Sequence, residues 1–373
     1  MNDGGPRGPV RPRSPPTTAH RGTMTARQVT IEDVARTAGV SRQTVSNALN
    51  APHRLRATTL ARVTAAIEEL GYQPDQSARS LRTGTRKVIG YPAPADNPVD
   101  PNPLMGGFLQ ALVSAADAVG HRVLLFRCDP DQGAAAVAKS FHGLIAARQV
   151  DGFVLSDVVH DDSRVDVLTE AGFPFAAFGR TAPGRPQNWV DIDSAEATAE
   201  LVRLLLAQGH RRICYVNSAA SLPWLADRRA GLLRAAADAP GGAFEVGVPD
   251  DDPAALSQAL QRLLSGPDRP TALVCASDWL ALTAYQAVRA AGLGVGTDVA
   301  VTGFNDMPVG TLLQPSLTSV RLPLARIAHA LVDRLIAVVE GGTTGPASGL
   351  LLPAMPVVRD STPDRRGGSG TVT

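Results

Sequence analysis

The chain has 373 residues, 44% of them hydrophobic, which suits two or three domains of ordinary globular composition. It contains no apolar leader and no long hydrophobic span, which excludes a signal peptide and a membrane helix and predicts a cytoplasmic protein. The formal net charge of +1 hides an asymmetry: residues 1–27 carry five basic and one acidic group, 28–87 nine and five, and 88–373 twenty-two and twenty-nine. Positive charge near the amino terminus suits a polyanion partner bound through counterion release, while an acidic remainder is kept off it.

Residues 1–27 are read as a disordered extension: the first 23 hold five prolines and four arginines and show no apolar period. Met24 is a plausible alternative start. Residues 28–73 read as three helices. Thr30 and Asp33 form a variant capping box for a helix whose Ile31, Val34, Ala35 and Ala38 share a face. Gly39 breaks that helix in a sharp turn, Val40 fills the corner, and Ser41 caps a second helix whose Val45 and Leu49 point back at the first.

Arg42, Gln43, Thr44, Ser46 and Asn47 then stand exposed at the start of the second helix. Arginine suits guanine O6/N7, glutamine and asparagine suit adenine N6/N7, and the hydroxyls suit phosphates, so this reads as a DNA-reading helix-turn-helix. The alternative is an ordinary solvated helix pair. Leu60, Val63, Ile67 and Leu70 give a third helix an apolar stripe that Gly71 ends. Residues 74–85 follow as a hinge, with room for barely two helical turns, a length marginal in water without a partner.

From Lys87 onward short apolar runs alternate with helical stretches. Strands are predicted at 88–91, 123–126, 153–155, 175–178 and 190–192, with helices such as 104–119 and 134–148 between them. A second set follows: helix 194–208, strand 213–216, helix 224–238, strand 244–248, helix 253–264, strand 272–275, helix 278–291 and strand 299–304. This alternation predicts two parallel-sheet subdomains with helices on both faces, and a ligand cleft outside the carboxyl ends of their strands. Cys128, Cys214 and Cys275 read as buried strand thiols, and His121 and His210 as cap or core residues. No nucleophile elbow, phosphate loop or metal-ligand spacing is visible, so neither an enzyme nor a cofactor or metal is predicted.

The run 29–50, VTIEDVARTAGVSRQTVSNALN, and the run 65–84, AAIEELGYQPDQSARSLRTG, resemble the lactose-repressor (LacI) family of bacterial transcription regulators. QGHRRICYV, TALVCASDWLAL, DVAVTGFNDMP and QPSLTSVRLP are similar to that family's effector domain, itself akin to periplasmic sugar-binding proteins. The resemblance implies an all-α helix-turn-helix headpiece followed by an α/β two-subdomain effector and dimerisation domain over 86–361. The first subdomain would hold about 86–190 plus 317–345 and the second about 191–316 plus 346–361, with crossings near 187–193, 315–320 and 341–349; residues 362–373 would be a disordered tail.

By the same likeness Arg42 and Gln43 match base-reading positions, and Ala78, Arg79 and Leu81 belong to a hinge whose leucine enters the minor groove of a pseudo-palindromic operator. Asn47 stands where many members have arginine, Arg56 where a serine commonly caps the third helix, and Asp75 where the hinge usually has asparagine. Candidate effector-binding residues are Asn102, Arg180, Asp193, Trp224, Arg228, Asp278, Asn305 and Asp306, with Ser277 replacing an asparagine beside Asp278. Aspartates just after strands also cap helices, so Asp278 has that alternative. Helix 104–119, with Leu112 and Val113, would be a candidate dimer element. The implied protein is a homodimeric repressor whose affinity for operator DNA is set by a small-molecule effector, a sugar first. The alternatives are a purine or other metabolite as the effector, or a transport-type sugar-binding protein.

Overall fold

The computed structural model describes residues 29–72, 85–93, 103–129, 132–181, 185, 187–218, 222–237, 243–248, 253–341 and 349–364, with 243–248 described as backbone only. The chain divides into two compact units, residues 1–84 and 85–373.

In the first unit α1 (Ile31–Thr37) opens with a complete capping box. Thr30 Oγ1 accepts from the Asp33 N–H, and the Asp33 carboxylate accepts from the Thr30 N–H at 3.0 Å. Gly39, at φ 61°, makes the turn into α2 (Arg42–Asn50), which Ser41 caps through the Thr44 N–H at 3.1 Å. α3 (Ala57–Leu70) closes the bundle and stops at Gly71. Val34, Val45 and Val63 are fully buried at its centre, with Ile67 and Leu70 packed around them half-buried. Arg56 holds the N-cap position of α3 and makes no capping hydrogen bond.

The second unit is built on two parallel sheets. The strands are β1 (Val88–Pro92), β2 (Arg122–Phe126), β3 (Gly152–Leu155), β4 (Phe175–Phe178), β5 (Trp189–Ile192), β6 (Ile213–Ser218), β7 (Ala243–Val248), β8 (Ala272–Cys275), β9 (Ala300–Thr302), β10 (Ser319–Arg321), β11 (Gly349–Leu352) and β12 (Met355–Val357). The first sheet has the order β11-β5-β4-β3-β1-β2 and the second β7-β6-β8-β9, parallel throughout. In each, the chain runs from its first strand to one edge and then returns to that strand's other side. The order therefore reverses at β1/β3 and at β6/β8, the topological switch points outside which ligands bind.

Helices cover both faces. On the first sheet α4 (Pro103–Ala118) and α11 (Leu324–Val339) pack together on one side, while α5 (Ala134–Ala146) and α6 (Ser163–Glu170) cover the other. Around the second sheet lie α7 (Ser194–Ala207), α8 (Pro223–Ala236), α9 (Pro253–Leu264) and α10 (Asp278–Ala290). α7 and α8 approach so closely that a Cβ on Gly231 would lie 1.9 Å from the Ala195 carbonyl oxygen.

Several expectations need correction. Residues 349–352, assigned to the second subdomain, pair in register with β5 in the first sheet, so the third crossing falls after Leu352 and not at 341–349. The antiparallel β10–β12 pair joins the second and third crossing segments. Strand 299–304 is only Ala300–Thr302, because the chain turns at 303–306 under Asp278. Leu112 is fully buried in the first lobe's own core and has no surface to offer a partner, whereas Val113 is 47% exposed. Cys214 and Cys275 lie buried in strands, while Cys128 lies buried just after β2.

Two substitutions test this packing. Gly231→Ala is expected to cost about 1–3 kcal/mol by forcing α7 and α8 apart, read as a lowered urea midpoint with the slope unchanged. Arg56→Ser, supplying the missing cap, is expected to add about 1 kcal/mol to the first unit, read as a higher melting temperature.

Candidate functional site

The second helix of the first unit presents the predicted polar residues at its amino-terminal end. Arg42 and Gln43 are exposed, and Thr44, Ser46 and Asn47 are half-buried. Their neighbours hold them in place. The Gln43 amide donates to Asn47 Oδ1 at 3.1 Å, one turn apart on the same face, and Thr44 Oγ1 lies 2.9 Å from the capping Ser41 hydroxyl. Arg42 reaches Glu32 of α1 at 3.4 Å with both side chains largely in water, a pair weak enough to yield to a phosphate or a base. Ala78, Arg79 and Leu81 lie outside the described residues.

In the second unit one cavity of about 150 Å³ sits where the carboxyl ends of both sheets meet. Each wall comes from a strand end. Asp157 and Val158 follow β3, Phe178 to Arg180 end β4, and Asp191, Ile192 and Ser194 come from β5 and the start of α7. Besides Ser194, the second lobe contributes Trp224 and Arg228 of α8, Ser277 and Trp279 at the start of α10, and Asn305 and Met307 after β9.

Arg228 is the most constrained of these. Its guanidinium lies over two aromatic rings, 4.3 Å from the Trp224 ring centre and 3.6 Å from that of Phe304, and donates to the Ala276 carbonyl. Burial pulls its pKa down to about 10, so it stays cationic at neutral pH. Arg180 spans the cleft: Nε donates to Asp191 at 3.0 Å on its own lobe, and Nη2 donates to Asp227 of α8 on the other. Burial raises the pKa of Asp191, opposed by the Arg180 hydrogen bond. Arg228 Nε, Asn305 Oδ1 and Ser194 Oγ are all buried and have no hydrogen-bond partner. Each such atom costs about 1–3 kcal/mol until something pairs with it.

Of the eight sequence-predicted effector residues, the fold brings Arg180, Trp224, Arg228 and Asn305 together around this cavity. Asn102 lies outside the described residues. The other three do not line it. Asp193 caps α7, accepting from the Glu196 N–H at 2.8 Å. Asp306 turns away into ion pairs with Arg321 and Arg359 at 2.5 and 2.6 Å. Asp278 is wholly buried beneath the wall, accepting from the Met307 N–H at 2.6 Å and from Ser319 Oγ at 2.5 Å. Its burial, opposed by those two donors, raises its pKa to about 6. Sequence reasoning missed Asp191 and Ser194, which flank Asp193; strand alternation turns Asp191 into the cleft, a signal readable once β5 is placed.

Together these define a class: a helix-turn-helix unit on one chain with a two-lobed α/β body whose cavity opens between the lobes. A family model described as "Bacterial regulatory proteins, lacI family" matches residues 30–75, and one described as "Periplasmic binding protein-like domain" matches 202–362. The HTH-type transcriptional regulator AglR of Rhizobium meliloti (strain 1021) is 33% identical over 323 residues, 83% of this chain and 87% of that one. The crystal structure of the lac repressor dimer bound to operator and the anti-inducer ONPF superposes with a TM-score of 0.74 at 27% identity, covering 90% of this chain and 99% of that one. A complex of the transcriptional regulator CelR with cellobiose superposes at 0.64, also 27% identical, covering 90% and 100%. The chain belongs to the lacI family of bacterial regulatory proteins; it is a DNA-binding transcriptional regulator and not an enzyme. Among the described residues no helix is long and apolar enough to cross a membrane.

The raised Asp278 has a defined consequence for stability. A carboxyl whose folded pKa of about 6 exceeds its ordinary value of 3.8 stabilises the fold below pH 4 and loses that contribution as pH rises through 6. Asp278→Asn is expected to flatten this dependence, removing roughly 2 kcal/mol of the change between pH 4.5 and 7, measured by urea unfolding at those two values.

Proposed function

We propose that the chain acts as a repressor: a homodimer presents two copies of α2 to half-sites of a pseudo-palindromic operator, and a sugar bound in the cavity controls that binding. The observation that carries the ligand reading is the trio of unpaired buried polar atoms on the cavity's lining residues, Ser194 Oγ, Asn305 Oδ1 and Arg228 Nε. They comprise a hydroxyl, an acceptor and a donor, all presented by the second lobe. Sugar hydroxyls, each at once donor and acceptor, pair with such a set. Trp224 and Trp279 supply the apolar faces against which a pyranose ring packs. Arg180, Trp224, Arg228 and Asn305 are the proposed ligand contacts, and the cellobiose bound by a relative of the same fold supports a saccharide.

For DNA, Arg42, Gln43, Thr44, Ser46 and Asn47 are the proposed contacts of the described residues, with Gln43 and Asn47 already aligned on one face of α2. A ligand that engages groups on both lobes binds open and closed cleft states unequally, which is the requirement for shifting an equilibrium between them.

The test is an electrophoretic shift assay with DNA upstream of the chain's own gene, at two salt concentrations, with and without neutral disaccharides. A sequence-selective complex is expected, its affinity falling steeply with salt and changing about 5–150-fold with the effective sugar. Binding that never discriminates between sequences defeats the regulator reading; selective binding that no sugar alters defeats the ligand reading.

A further inference from the structure

We propose that the cleft accepts uncharged ligands and rejects anionic ones, because Arg180 is an inter-lobe latch held by Asp191 and Asp227 and is not free to receive an anion. The proposal rests on the ligand-site reading above and narrows it from sugars in general to sugars without phosphate or carboxylate groups.

Two guanidiniums border the cavity, and by count alone they suit a phosphate. Their surroundings say otherwise. Arg180 donates through Nε to Asp191 on its own lobe and through Nη2 to Asp227 on α8 of the opposite lobe, so two carboxylates already surround its charge. Trp189 supports it from the side, with the guanidinium carbon 5.3 Å from the ring centre. That ring is itself fixed, since a Cβ on Gly349 of the neighbouring strand would lie 1.9 Å from it. The side chain is therefore preorganised toward its two aspartates.

Arg228 is less open than its charge suggests: its guanidinium lies over the Trp224 and Phe304 rings, Nη1 donates to the Ala276 carbonyl, and Nε is buried without a partner. Asp157 joins Asp191 in the lining, and Asp227 is paired with Arg180 beside it. Three carboxylates set against the two cleft guanidiniums leave no surplus positive charge there. A hydroxyl needs no such surplus. Since Asp191 and Asp227 stand on different lobes, the same pairing also links the lobes when no ligand is present.

The wild type, D227N and the R180Q/D227N double variant are titrated by calorimetry with inorganic phosphate, glucose 6-phosphate and cellobiose, with folding checked by circular dichroism. Neither anion is expected to bind the wild type more tightly than about 10 mM. D227N, which frees one arm of Arg180, is expected to bind glucose 6-phosphate at least about tenfold more tightly than the wild type, and the double variant is expected to lose that gain. Micromolar binding of either anion by the wild type overturns the proposal, as does the absence of any gain in folded D227N, or a gain that persists without Arg180. If D227N does not fold, the wild-type titrations decide. Failure of cellobiose and other neutral disaccharides to bind the wild type counts against the sugar reading, while the two anions still test the exclusion.

Discussion

A carboxylate with no access to solvent fastens together the parts of the body that form the cavity. Asp278 opens α10 on the second lobe, and its two oxygens accept from the Met307 N–H and the Ser319 hydroxyl, one on the turn after β9 and the other on the crossing strand β10. A buried charge held by two donors is costly to disturb, because removing either donor leaves it partly unpaired. The turn it anchors carries Asn305 and Asp306 at positive φ, a conformation asparagine and aspartate tolerate better than most residues. Asn305 thereby reaches the cavity while Asp306 is drawn off into Arg321 and Arg359. The aspartate thus governs the site from behind its wall.

The two cleft arginines show how neighbours divide the work of chemically identical groups. Arg228 is desolvated against two aromatic rings and keeps its charge at neutral pH although burial has lowered its pKa; its buried Nε has no partner. Arg180 remains about one-third exposed and is fixed by two carboxylates on opposite lobes. One guanidinium is set by desolvation and aromatic contact, the other by two carboxylates. Neither role follows from the residue type, since a planar fork of five donors serves carboxylates, carbonyls and aromatic faces alike.

The helical unit obeys a simpler constraint. It is small, so its few buried side chains, centred on Val34, Val45 and Val63, must be aided by caps and turns that leave little backbone unpaired. Arg56 is the exception: a long cation occupies an N-cap and makes no capping bond. The polar face of α2 is internally ordered by the Gln43–Asn47 bond, which restricts the rotamers of both side chains.

Local chemistry alone determined a good deal. The capping box at Thr30, the glycine turn at Gly39, the Ser41 cap and the alternation of βα units were all written in short-range spacing, because caps, turns and amphipathic periods depend on residues within one or two helical turns. The βα alternation did not reach α6, β10, β11 or β12: the last three belong to crossing or edge segments outside the repeating units, so no neighbouring period marked them. Which aspartates reach the cavity was likewise a tertiary matter. Asp191 and Asp193 stand two apart, yet one is the last-but-one residue of a strand facing the cleft and the other a helix cap. The pairing of Arg180 with Asp227, 47 positions away on the other lobe, exists only because the sheets bring their carboxyl ends together. Sequence fixes what a side chain offers; only the folded neighbourhood decides which offer is already taken.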